Sequence, residues 1–256
     1  MQAGQKIQQH FQLETTGPGG VSSGPPRDTP IYTLGRALGR IAAFDFPLHV
    51  SESSKAYLSG MSKIETGEIA DLMKAMLLNP QDEASASRIR TLDPRLNAML
   101  RTTCVAVRVN AGEADSALPR RATAMLDCHI VPGEDVDAVQ GTLDRVIAEP
   151  QIKILKVGDP GLPSPAPPIS EKILGPARQV ANAMWPGVPL IPYQVNGADD
   201  GRFLTPVGIP TYGLSGLFRE TGNDGSHGLN ERILVKSLYE GRDYLYAVVK
   251  LYSNLP

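Results

Sequence analysis

The sequence predicts an α+β chain: a four-stranded antiparallel sheet carrying two helices, followed by an α/β segment short of strands. Three observations carry this expectation. Strand-like stretches occur at residues 6–16, 102–112, 120–133 and 151–157. Two apolar helical stripes, Ile31/Leu34/Leu38/Ile41 and Val136/Val139/Leu143/Val146, follow the first and third of them. A glycine- and proline-rich run, "GDPGLPSPAPPIS" (158–170), then breaks the pattern. The order β-α-β-β-α-β is that of the ferredoxin-like split-βαβ sandwich.

The first strand, "KIQQHFQLETT", alternates roughly and ends in two threonines. The glycine-proline loop "GPGGVSSGPP" follows. Asp28 is placed to cap the next helix, with Pro30 in its first turn. Residues 51–100 are helix-prone with weak periodicity and predict about two helices, as an insertion. "TTCVAVRVNAG" and "RRATAMLDCHIVPG" are strands joined by a turn, "EADSALP". Their cysteines, Cys104 and Cys128, read as buried free thiols, with a cross-strand pair as the alternative. "QIKILKV" closes a domain spanning 1–157, and 158–170 is its linker to 171–256. That last segment predicts a helix near 170–185, the apolar "GVPLIPY", the loop "VNGADDGRF" and a strand "GIPTYGLSG". A final helix carries the stripe Leu238, Leu245, Val248 and Leu251. So little strand is thin for an independent core. It resembles the tail of an α/β domain whose front half lies elsewhere.

Composition narrows the function classes. The 256 residues are 41% hydrophobic and 20% charged, as in an ordinary folded chain. A net charge of −2 argues against nucleic acid and against an anionic membrane surface. No apolar run is long enough to span a bilayer. The start, "MQAGQKIQQHFQLE", is neither a signal peptide nor an anchor, so the cytoplasm is the expected location. It enters a strand almost at once, as a chain does when its beginning has been lost.

Chemistry-bearing residues are sparse. There are four histidines, His10, His49, His129 and His227, with no HExxH, no H-x-D and no Glu-Glu pair. A hydrolytic zinc site needs about three protein ligands and an open position. His227, in "NDGSHGLNER", would be one of them. Ser22 and Ser23 lie among glycines with no placed base. Asp199-Asp200 reads either as catalytic carboxylates or as an Asx-turn and helix cap.

Three segments in order, "LETTGPGGVSSGPPRDTPIYTLGRAL", "LRTTCVAVRVNAGEADSALPRRATAMLDCHIVPG" and "NGADDGRFLTPVGIPTYGLSGLF…SHGLNERI", strongly resemble the M20 family of zinc metallopeptidases and amidohydrolases. The family includes carboxypeptidases, succinyl-diaminopimelate desuccinylase and acetylornithine deacetylase. The resemblance implies a catalytic domain, with two zinc ions in the complete enzyme, split by an inserted lid or dimerisation domain. This chain then corresponds to the lid (1–157) and a carboxy-terminal remnant of the catalytic domain (171–256). The front part, which supplies most zinc ligands and the general base, would be encoded upstream or separately. His227 matches the family's last zinc ligand. The lid implies a homodimer, its edge strand pairing across a two-fold.

The departures bear on activity. Where the family's glycine loop reads GGHSS, this chain has Val21. Its NALP asparagine is Ser116, and its arginine thirteen residues on is His129, preceded by Asp127 in place of asparagine. Valine donates no hydrogen bond, and histidine makes no bidentate fork. Loss of one such donor costs roughly a hundredfold to a thousandfold in rate. The expectation is a truncated M20-type hydrolase, inactive as an isolated chain. The alternative is a non-catalytic dimerisation module derived from one.

Overall fold

A computed structural model describes residues 1–161, 166–219, 225–226 and 228–254. In chain order its first elements are β1 (Gln2–Gln5), β2 (Ile7–Thr16), β3 (Gly20–Val21) and α1 (Pro30–Ala43). Helices α2 (Glu52–Met61), α3 (Glu68–Leu78), α4 (Glu83–Leu92) and α5 (Pro94–Met99) follow. Then come β4 (Thr103–Ala111), β5 (Ala117–Leu118), β6 (Arg121–Ile130), α6 (Val136–Ile147) and β7 (Lys153–Val157). The chain continues with α7 (Glu171–Met184), β8 (Tyr193–Val195), α8 (Gly201–Leu204) and α9 (Val235–Ser253).

The main sheet has the order β4-β6-β2-β7, antiparallel throughout. This is the expected ferredoxin-like arrangement. Alternation drives it: along β6 every second residue from Ala122 to Ile130 is buried, and the residues between are half-buried. Helices α1 and α6 cover one face, closing a core that includes Phe11, Leu13, Leu34, Ala37, Leu126, Val139 and Leu143. Arg36 and Arg40 of α1 both reach Glu149 just after α6, tying the helix ends together. The Arg36 guanidinium holds the Glu149 carboxyl below its usual range.

Several local expectations are corrected. Thr29, not Asp28, caps α1, its hydroxyl accepting from Tyr32 N. Asp28 pairs instead with Arg36 at 2.8 Å. The buried face of α1 is Thr33, Leu34, Ala37 and Ile41, while Ile31 is exposed. Small Ala37 lets the helix lie close to the sheet, and that rotates the stripe. Residues 51–100 form four helices, not two. They enclose a core of their own around Leu58, Met73, Met76, Ile89, Leu96 and Leu100. Cys104 and Cys128 are not free thiols: they face each other across β4 and β6 and are disulfide-bonded.

The carboxy-terminal segment borrows from the start of the chain. β1 pairs in parallel with β8, and Gln2 also bridges to Gly213. Residues 208–216, expected as a strand, contribute only that bridge. Helix α7 packs on α9 through Val180, Ala181, Tyr244 and Val248. Gly241 is required where α9 passes residues 215–217. A Cβ on it would meet Ser215 O at 2.9 Å. The buried residues of α9 are Ser237, Gly241, Tyr244 and Val248: the last two pack with α7, and Ser237 Oγ accepts from Phe218 N. Leu238 and Leu245 of the expected stripe are exposed, as are Tyr246 and Val249. No helix among the described residues is long and apolar enough to cross a membrane.

Candidate functional site

Two of the singled-out positions lie side by side. Val21 ends β3, and Ser116 immediately precedes β5. These two short strands pair antiparallel, and Ser22 N donates to Ser116 O at 3.2 Å. Gly19 makes the approach possible: its φ is +73°, and a Cβ there would meet Arg120 Cγ at 2.8 Å. Val21 is 69% exposed. Beside it opens a polar cavity of about 590 Å3 whose wall includes Gly20, Asn110, Glu113, Arg120 and Arg121. Arg121 bonds to Glu14 and, with that hydrogen bond as the main cause, lowers the Glu14 carboxyl pKa.

His129 is elsewhere. It lies on the sheet face opposite the helices, opposite Gln8 on β2 and Thr103 on β4. Its Nε2 is 3.3 Å from Asp127 Oδ2, while His10 Nε2 is 3.5 Å from Oδ1. Gln8 Nε2 donates to both oxygens, at 3.1 and 3.2 Å. His129 Nδ1 is buried without a hydrogen-bond partner among the described residues. Arg121 and His129 are eight positions apart on β6, about 26 Å at the usual strand rise. The singled-out positions therefore fall into two separate groups, a loop pair and an imidazole–carboxylate patch. The patch can hold a polar ligand group by hydrogen bonds. The loop pair offers an exposed hydroxyl beside an apolar side chain.

Gln8 and His10 were not legible as site residues, because only the β2–β6 register brings them to Asp127. Lys6 was also missed. Its side chain is fully buried, and Nζ donates to Arg101 O at 2.7 Å. Burial lowers its pKa to about 7, opposed by the charge of Glu134. The Asp199-Asp200 pair is a turn. Asp199 Oδ1 accepts from Gly201 N at 2.7 Å, its own N–H donates to Gln5 Oε1, and Gln2 Nε2 reaches Oδ2. A second cavity, about 860 Å3, is lined by Met61, Ile64, Trp185, Leu217, Phe218 and Tyr244 among others.

His227 lies outside the described residues. Among the described residues, no group of three His, Cys, Asp or Glu side chains could hold a metal ion.

The sequence matches the peptidase dimerisation domain of the M20 family over residues 4–154. This chain belongs to the M20 family. It is 25% identical over 253 residues to the N-fatty-acyl-amino acid synthase/hydrolase PM20D1 of Homo sapiens, covering 96% of this chain and 49% of that protein. The M20 chain thus spans about half the length of the curated relatives it matches. Its fold is similar to human carnosine dipeptidase 1, with a TM-score of 0.61 at 16% identity, covering 99% of this chain and 56% of that one. It is also similar to an M20 family metallo-carboxypeptidase from Sulfolobus solfataricus, with a TM-score of 0.60 at 17% identity, covering 98% and 60%.

Proposed function

We propose that this M20 chain is the dimerising lid and carboxy-terminal segment of a metallohydrolase acting on an amide bond, and that alone it does not turn over substrate. The observation that carries the reading is β4. It is an edge strand of the sheet, within the matched dimerisation domain, and it exposes Val105, Val107 and Val109. A bare apolar edge invites strand pairing, and an isologous two-fold satisfies both copies at once. A homodimer formed this way would set the Val21–Ser116 loops of one copy toward the imidazole patch of the other.

Hydrolysis would need zinc held by His227 together with ligands from a preceding or separately encoded half. The exposed side of α9 and the short β1–β8 sheet support such a half, since both offer apolar or backbone surface that it would cover. The substrate class follows the human relative's name, an N-acyl amino acid, and the apolar cavity beside Trp185 suits an acyl chain. The alternative, a non-catalytic dimerisation module, is favoured by the substitutions at Val21, Ser116 and His129. The disulfide favours an oxidising compartment over the cytoplasm expected from the sequence. Alkylation of the protein as isolated from each compartment decides between them.

Sedimentation of the purified chain tests the dimer. Val107→Lys/Val109→Lys is expected to yield a folded monomer, and a monomeric wild type would sink the reading. Zinc titration beside His227→Ala tests the metal assignment. Tight zinc binding by the isolated chain that persists in the variant would remove His227 as a ligand. Hydrolysis of N-acyl amino acids by the isolated chain would overturn the inactivity.

A further inference from the structure

We propose that the Cys104–Cys128 disulfide is a redox latch on the edge strand through which two copies associate, an inference that rests on the β4 dimer reading above. Cys104 lies on β4, directly opposite Cys128 on β6. Among the described residues β4 has a ladder with β6 alone, and from Val105 to Ala111 it is exposed throughout. Its register shifts between Ala106 and Arg108, so the ladder is irregular just beyond the disulfide. Val107 lies at that irregularity, with Val105 and Val109 on either side of it. A strand this bare has little packing to hold its register, and the covalent link supplies it at the strand's start. Pre-ordering a binding element lowers the cost of association.

A dithiol reductant opens the latch by exchange. Its thiolate attacks Sγ of the half-buried Cys104, and the Cys128 sulfur leaves as thiolate and takes up a proton. The second thiol of the reductant then displaces the mixed disulfide from Cys104. Two electrons pass from the dithiol to the protein, giving two cysteine thiols and one oxidised dithiol.

The test compares the dimer dissociation constant of the full chain, oxidised and dithiothreitol-reduced, by sedimentation. Alkylation of both cysteines confirms reduction. Dissociation is expected to rise at least roughly tenfold on reduction, equivalent to about 1.4 kcal/mol. Cys104→Ser/Cys128→Ser should match the reduced protein in either buffer. Equal affinity in both states overturns the latch and leaves the dimer intact. A monomer in both states overturns the dimer reading and the latch with it. Should the double variant fail to fold, hydrogen exchange on the wild type decides. Reduction should speed exchange at residues 103–111 but not in β2, and unchanged exchange at 103–111 overturns the proposal.

Discussion

Lys6 is the residue whose environment departs furthest from what its type suggests. It follows β1, its N–H donates to Gly197 O, and its amine meets Arg101 O with Glu134 nearby. It therefore sits where the sheet domain, the helical insertion and the carboxy-terminal segment meet. Its folded pKa, lowered from 10.5 to about 7, lies below the unfolded value. Between those values the unfolded chain holds the extra proton, so stability rises with pH across that window. The slope from this group is at most about 1.4 kcal/mol per pH unit. Urea unfolding from pH 7.5 to 9 should show a rising free energy, and Lys6→Met should flatten it. An equally steep slope in the variant would assign the effect to another group. Nothing in "AGQKIQQ" announces this, because the groups around Lys6 come from residues about a hundred positions away. His10 and Gln8 escaped notice for the same reason. Val21 and Ser116, by contrast, were found through the motifs "GGVSS" and "SALP".

At the scale of elements, the sheet was legible because strand alternation is a local property. β2, β4, β6 and β7 fall where the apolar pattern placed them. The helices were legible as helices but not as faces. α1 turns its Ala37 side inward, and α9 buries Ser237 and Gly241 rather than Leu238. Close approach of a sheet or of another backbone segment to a helix favours small residues at the contact, and a stripe chosen by apolarity alone overlooks them. The insertion was underread because its four helices are short and share a core only once folded. Within the sheet, β6 is an interior strand, with β4 on one side and β2 on the other. Leu126→Ala on β6 should cost about 2–5 kcal/mol in denaturant unfolding. Val105→Ala, on the exposed edge, should stay within about 0.5 kcal/mol at concentrations where the chain is monomeric. Equal losses at the two positions would contradict the burial that separates them.

The whole molecule is uneven. The ferredoxin-like domain and the insertion each enclose a full core, while the α7–α9 contact rests on a few buried side chains. The other side of α9 exposes Leu238, Tyr246 and Val249, and the same carboxy-terminal segment also exposes Phe203, Val207 and Ile209. Exposed apolar surface of this kind marks an interaction site or an aggregation hazard. Leu238→Glu/Val249→Glu should therefore reduce light scattering of the purified chain while leaving its circular dichroism and its dimer unchanged. Scattering that persists would place the association on another surface.

The sequence by itself determined the strand order, the ferredoxin-like topology and membership of the M20 family, since these rest on local periodicity and contiguous motifs. Tertiary structure alone decided the pairing of β1 with β8, the bond between Cys104 and Cys128, the burial of Lys6 and the separation of His129 from Val21 and Ser116. Each depends on which distant segments become neighbours. Register across strands, and the side of a helix that small residues open to close packing, settle that only when the whole chain is assembled.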